Sequence, residues 1–145
     1  MDLDAGLVYR SYGPEDIPFV RSSWANSFFK GVDAHKALTP KEFHSFHRKT
    51  IDRFFEKPMA TVIIVHLENE PNIIMGWIAV ELLIEFLIVH YIYIKGDFQK
   101  LTLATRLIKR VNSKNQSIII THLTDKASRI LKHQKKELTY IPHLI

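Results

Sequence analysis

The most restrictive stretch of this chain is Phe86 to Ile94, FLIVHYIYI, a run of aromatic and branched apolar residues that stops at Lys95-Gly96-Asp97. Such residues suit a buried, pleated strand. The period then changes. From Gln99 to Val111, Leu103, Leu107, Ile108 and Val111 fall on one side and Lys100, Arg106, Lys109 and Arg110 on the other, the pattern of a helix with one face on a core. A short buried-type strand follows at Ser117 to Thr121. Strand, loop, helix and strand in that order predict a parallel pair joined by a right-handed crossover.

Upstream, Leu7 to Tyr12 is a short β-prone run, and Gly13-Pro14-Glu15-Asp16 supplies turn chemistry, with Asp16 as candidate N-cap of a helix from Ile17 to about Phe29. Thr39-Pro40-Lys41-Glu42 joins a capping residue, Pro at the first helical position and an acid in the first turn, so a second helix is predicted to about Phe55. Thr61 to Leu67 and Ile73 to Val80 read as a hairpin around the polar turn Glu68 to Asn72, and Glu81 to Glu85 as the next turn. Thr124 to Gln134 reads as a basic helix capped by Thr124 or Asp125, and Leu138 to Ile145 as a last extended segment. The order β-α-α-β-β-β-α-β-α-β predicts an α/β (α+β) fold: a mixed central sheet flanked by helices on both faces.

At 145 residues the chain is the size of one domain, residues 1–145. The 20 Lys and Arg against 15 Asp and Glu leave a formal charge of +5, which favours anionic partners: nucleic acid, an acidic protein or a ligand bearing several phosphates. The chain has 0 Cys, which excludes disulfides, thiolate metal sites and a cysteine nucleophile and fits a reducing cytoplasm. The start, MDLDAGLVYR, lacks a secretory pattern, and Glu81 and Glu85 interrupt the apolar stretch Ile73 to Tyr93, so no membrane span is expected. His44 and His47 have no carboxylate or Cys cluster beside them, so no metal site is expected.

The segment Ile73-Ile74-Met75-Gly76-Trp77-Ile78 and the segment Tyr93 to Ile108 together resemble the GNAT N-acetyltransferase superfamily. The family pattern Q/R-x-x-G-x-G/A after a strand is matched by Gln99, Thr102 and Ala104, with a β-branched Thr102 at the usual Gly. More narrowly, Asp16 to Trp24, Val89 to Lys95 and Tyr140 to Leu144 resemble compact members encoded by phages and prophages. The resemblance implies acetyl-CoA as cofactor, held by Ile92, Tyr93, Ile94, Gln99, Lys100, Leu101, Thr102, Leu103, Ala104 and Thr105. In such a loop, amides at a helix N-terminus face the pyrophosphate, aided by the helix dipole.

The resemblance also implies direct attack of an amine on the thioester, which calls for a base and a way to protonate the departing thiolate. Some members carry a Glu on the cofactor strand, six residues before its end; here that place is Ile88. His90 is the first candidate base, since histidine titrates near pH 6.5, and alternation puts it on a face with Ile88 and Ile92. Glu81 and Glu85, read as turn residues, are further candidates acting through water. The family's usual Tyr after the fifth strand is Leu131 here, which leaves thiolate protonation to water, Tyr91 or Tyr93.

Ser23 and Trp24 fall where relatives shape the acceptor pocket, and His122, at the end of the fifth strand, is placed at the cleft mouth; Trp24 reads as a core anchor ahead of a substrate contact, and a cap of the next helix is the alternative for His122. The basic run Lys126, Arg129, Lys132, Lys135 and Lys136 reads as a solvated face, a contact for the cofactor's phosphate, or a nucleic-acid contact. A nucleic-acid partner is not expected, because only Tyr140 stands near as a base-stacking ring. Two functions stay open: an acetyltransferase acting on an unidentified amine, and a GNAT-shaped binding protein of phage origin without turnover. With one strand expected after the last helix where many relatives have a hairpin, a sheet edge open to a second copy, and so a homodimer, is an expectation.

Overall fold

A computed structural model describes residues 6–131, 138–142 and 144. Strand β1 (Leu7–Ser11) leads to α1 (Ile17–Gly31) and α2 (Pro40–Glu56), followed by β2 (Ala60–Leu67), β3 (Glu70–Leu82) and β4 (Phe86–Ile94). Then come α3 (Leu103–Val111), β5 (Ser117–Ile120), α4 (Asp125–Leu131) and β6 (Leu138–Tyr140), in the predicted order. The end of the predicted helix after 131 lies outside the described residues, as do Lys132, Lys135, Lys136, His143 and Ile145.

Local chemistry accounts for the helix starts. Thr39 caps α2 reciprocally: its hydroxyl accepts from Glu42 N at 3.2 Å, and Glu42 Oε1 accepts from Thr39 N at 3.1 Å. Asp16 acts one turn earlier than its sequence position suggests. Its carboxylate accepts from Gly13 N at 2.8 Å and from Arg10 Nη1 at 2.7 Å, closing the 3-10 turn before α1 instead of capping α1 itself. The Arg10 guanidinium holds that carboxyl below its usual range.

The six strands follow chain order, β1-β2-β3-β4-β5-β6. β1 to β4 pair antiparallel, and β4-β5 and β5-β6 pair parallel. β3 begins at Glu70, ahead of the predicted Ile73, because a tight turn at residues 68–69 closes the hairpin. Pro71 is tolerated there because the ladder is irregular between the pairs Leu67 with Glu70 and His66 with Ile74. Gly76 is required by proximity: a Cβ would lie 2.6 Å from Tyr93 O.

α1 and α2 cover one face of the sheet with Val20, Trp24, Ile51 and Phe54 over Val62, Ile64, Trp77, Ala79 and Tyr91. α3 covers the other with Leu103 and Leu107 over Val65, Ile78, Val80, Leu87, Val89 and Ile118. Trp24 and Trp77 are fully buried. At about 25 cal/mol per Å2 over roughly 150–250 Å2, each contributes roughly 4–6 kcal/mol of transfer free energy as an upper bound.

One irregularity sets up the rest. Across β3 and β4, Ala79 faces Tyr91 and Val80 faces Val89, so His90 is the extra residue of a β-bulge. The bulge breaks the alternation expected from sequence. Ile92 packs on the α3 side, whereas the His90 ring meets Phe54 of α2 at 5.2 Å.

Candidate active site

β4 and β5 pair from Phe86 with Ser117 to Val89 with Ile120, and the last bond between them is Thr121 N to Val89 O at 3.2 Å. Past that point β4 runs on to Ile94 while the other chain segment turns toward α4. A bulge bends its strand and increases its twist, and the divergence begins at this one. Beside this divergence lies a cleft of about 520 Å3, lined by Tyr91, Ile92, Tyr93 and Ile94 from β4 and by Ile118, Ile120 and His122 from β5 and the segment after it. Gly31, which also lines the cleft, lets the end of α1 meet the residue before α4, where a Cβ would lie 2.7 Å from Thr124 Cγ2.

Thr102, Ala104 and Thr105 form the end of the cleft nearest α3. The predicted helix start at Gln99 is displaced. Gly96–Leu101 is a 3-10 turn, Thr102 is left-handed at φ 55° and ψ 25°, and the α-helix begins only at Leu103. A β-branched residue in that conformation costs roughly 1–2 kcal/mol, which a Gly would avoid. The left-handed residue turns the chain so that the first turn of α3 opens on the cleft. There the peptide N–H groups lie ahead of the bond from Arg106 N to Thr102 O, 3.2 Å. Lys126 of α4 donates to Gln99 Oε1 at 2.9 Å, and Gln99 Nε2 donates to Ile94 O at 3.3 Å, so a polar clasp joins the two rims.

A buried polar chain runs behind the cleft and reaches its wall at His122. His90 Nε2 lies 2.6 Å from Glu81 Oε2, His90 Nδ1 lies 2.8 Å from Thr121 Oγ1, and Thr121 Oγ1 lies 2.8 Å from His122 Nδ1. All four side chains are buried. Burial holds the His90 pKa below that of ordinary histidine, with Glu81 pulling the other way and Lys57 reinforcing the fall. Lys57 Nζ stands 4.0 Å from Glu81 Oε1.

The predicted site residues separate into groups. Tyr91, Ile92, Tyr93, Ile94, Gln99, Thr102, Ala104, Thr105 and His122 line the cleft. Leu103 packs into the core instead, and Lys100 and Leu101 contribute backbone to the 3-10 turn. His90 has no exposed surface and does not line the cleft. Glu81 is a buried residue of β3, not a solvated turn residue, because β3 continues to Leu82; Glu85 is exposed in the turn before β4, at the opposite end from the cleft. Trp24 and Ser23 also lie behind the wall. Trp24 stacks on Tyr91 at 5.6 Å and 8°, and Ser23 Oγ accepts from Trp77 Nε1 at 2.9 Å and donates to Phe19 O at 2.6 Å.

Tyr91 shares a hydrogen bond of 2.8 Å with Ser27, and burial pushes its pKa up to about 12, so the phenol stays protonated. Sequence reading missed Thr121 and Ser27; the pair Thr121-His122 directly after an apolar strand is a signal for Thr121, whereas Ser27 is brought to Tyr91 only by the packing of α1 on the sheet. A ring cluster surrounds His122: Trp24 at 5.7 Å, Phe28 at 5.1 Å and His47 at 5.4 Å. Within it, burial pushes the His47 pKa down to about 4, and His47 Nε2 and Trp24 Nε1 are buried without a hydrogen-bond partner. Among the described residues no group of three or more His, Cys, Asp or Glu is arranged to hold a metal, and no helix is long and apolar enough to cross a membrane.

No family model and no curated protein matches the chain. Solved structures do. An acetyl transferase of Pyrococcus furiosus superposes with a TM-score of 0.69 at 10% identity, over 96% of this chain and 99% of the other. AAC(6')-Iy, solved with the bisubstrate analogue CoA-S-monomethyl-acetylneamine, gives 0.56 at 11% identity, over 96% of each chain. An acetyltransferase of Clostridium acetobutylicum, solved with acetyl-CoA, gives 0.50 at 14% identity, over 87% and 86%. At these identities the likeness establishes a shared fold.

Proposed function

We propose that this chain, whose fold is that of the GNAT acetyltransferases, is an acetyl-CoA-dependent N-acetyltransferase acting by direct attack of an amine. The observation that carries the reading is the edge of β4 from Tyr91 to Ile94, which leaves β5 after Val89 and borders an apolar cleft ending at the first turn of α3. Peptide groups on such an edge can pair with an amide-bearing arm, as an added strand would. The positive end of α3 suits a diphosphate, and small Ala104 leaves room for it. Acetyl-CoA bound there supplies the acetyl thioester.

The chain's own residues then have separable tasks. Ile92 and Ile94 hold the arm against the sheet, Thr102 to Thr105 meet the phosphates, and Lys126 adds positive charge beside them. The acceptor amine enters from the side of α1 and β5, where Ser27, Tyr91 and His122 line the cleft. Protonated Tyr91 is suited to donate to a departing thiolate.

Calorimetric titration with acetyl-CoA tests the reading. Micromolar binding, and thiol release from acetyl-CoA when neamine or a lysine-bearing peptide is added, support it; no binding removes it. A second reading, a GNAT-shaped binding protein without turnover, is favoured by the Lys126–Gln99 clasp, which occupies the loop's polar side chain. It predicts binding to a partner with no thiol release from any amine. The setting proposed for both is a bacterial cytoplasm, on the sequence likeness to phage and prophage members.

A further inference from the structure

We propose that the acceptor acetylated by this chain is an aromatic amine, one neutral nitrogen on a flat apolar body, and not an aliphatic amine that is cationic at neutral pH. This rests on the acetyl-transfer reading above and names the substrate class of that site.

Charge is the first ground. An aliphatic amine titrates near lysine, about 10.4, so at neutral pH roughly one molecule in a thousand carries a free lone pair. A site for such an acceptor gains from a carboxylate to attract the ammonium and a base to take its proton. Among the described residues that line the cleft none is Asp or Glu, and the one Lys or Arg is Lys126, placed beside the phosphates. Carboxylates of the surrounding elements are engaged elsewhere: Glu81 with His90 at 2.6 Å, Asp125 with Asp33 N at 3.1 Å, and Asp33 with Lys36 at 3.3 Å. His90 is fully buried away from the cleft, and His122, which does line it, is bonded to Thr121 at 2.8 Å and packed among Trp24, Phe28 and His47. A neutral acceptor needs neither a counter-charge nor a base.

The surface is the second ground. Polar side chains at the acceptor end are satisfied within the protein. Ser27 Oγ donates to Ser23 O at 2.6 Å and shares its 2.8 Å bond with Tyr91, and Thr124 Oγ1 accepts from Ala127 N at 3.1 Å. What they leave is apolar: Ile120, Leu123 and the rings of Tyr91 and His122 line this end. Trp24 stacks behind Tyr91 at 5.6 Å and 8°, so that wall is stiff. A hydroxyl-rich or multiply charged acceptor would give up its bonds to water there without replacement. A flat ring gains by burial and by contact with the rings.

The step balances without a base. The lone pair of the neutral nitrogen forms the bond to the acetyl carbon, and the carbon–sulfur bond breaks with its electron pair on sulfur. An aromatic nitrogen that has gained a fourth bond is strongly acidic, so its proton leaves unaided and reaches the thiolate through solvent or the Tyr91 phenol. The products are the aryl amide and the free thiol.

Initial rates of thiol release from acetyl-CoA by the full chain test the class, with para-toluidine set against its isomer benzylamine and against neamine, which carries several ammonium groups. At about pH 7.5, kcat/KM is expected to be at least about tenfold higher for para-toluidine than for benzylamine, and lowest for neamine. Between about pH 7 and 8.5 the para-toluidine rate should stay level, whereas that of benzylamine should climb about tenfold per unit with its free base. Ser27→Asp puts a carboxylate at the acceptor end and should move the preference toward benzylamine at least about tenfold, which the neutral Ser27→Asn should not do. The first two readouts use the unaltered chain and stand whatever Ser27→Asp does to folding. Benzylamine or neamine preferred by the unaltered chain, a para-toluidine rate that climbs with pH, or a folded Ser27→Asp with the preference of Ser27→Asn overturns the assignment. Calorimetry with acetyl-CoA on the same samples separates the two ideas. Binding with the wrong amine preferred sinks only the substrate class; no binding, or binding with no thiol release from any of the three, sinks both.

Discussion

From β1 to β4 neighbouring strands run antiparallel beneath a dense aromatic layer, whereas from β4 onward they run parallel and the pairing stops at Val89. The first half invests in packing: Trp24 touches Trp77, Tyr91 and Phe54 with ring centroids 5.6 Å away in each case. The second half leaves a strand edge and a cleft. His90 sits at the boundary, its bulge turning one strand from a packed element into a binding edge. Stability and ligand affinity should therefore respond to different residues.

The largest effect belongs to the packed half. Trp24→Ala should lower the unfolding free energy by about 3–5 kcal/mol, read from denaturant midpoints, because the rigid neighbours cannot close the space. A loss below 1 kcal/mol would break the comparison.

His47 sharpens it next. Its pKa falls from 6.5 in the unfolded chain to about 4 in the fold, so the folded state resists protonation. The stability this conceals is fully present above pH 6.5 and is lost as pH falls to about 4, on the order of 3 kcal/mol. His90, also lowered, acts in the same direction. Unfolding curves measured at pH 7 and pH 4 should differ accordingly, and His47→Phe should reduce the difference.

In the cleft half, Ala104→Trp should weaken acetyl-CoA binding at least about tenfold, or 1.4 kcal/mol, in calorimetry. Its unfolding free energy should stay within about 0.5 kcal/mol of the parent. The smallest effect is Thr102→Gly. Relief of the left-handed strain, less the entropy cost of Gly, should raise stability by about 0.5–1 kcal/mol, seen as a few degrees in Tm.

Element order and type were legible because they rest on local signals: the capping box at Thr39, the branched run at Phe86–Ile94, the helical stripe of Leu103 and Leu107. The cleft residues on β4 and α3 were legible through the loop pattern. What sequence did not disclose depends on register. Strict alternation cannot foresee that an extra residue at His90 would carry it toward Phe54 and Thr121 and away from Ile92. Nor can it foresee that β3 would continue through Glu81 and bury it. The contact between Glu81 and His90 exists only once two strands are aligned.

The central claim is that the diverging edge of β4 and the first turn of α3 receive coenzyme A. Amide NMR spectra recorded during titration with coenzyme A test it most directly. The account predicts saturable shifts at Ile92, Ile94, Leu103, Ala104 and Thr105, with α2 and residues 83–85 unmoved. Shifts confined to other surfaces, or none at millimolar coenzyme A, would contradict it.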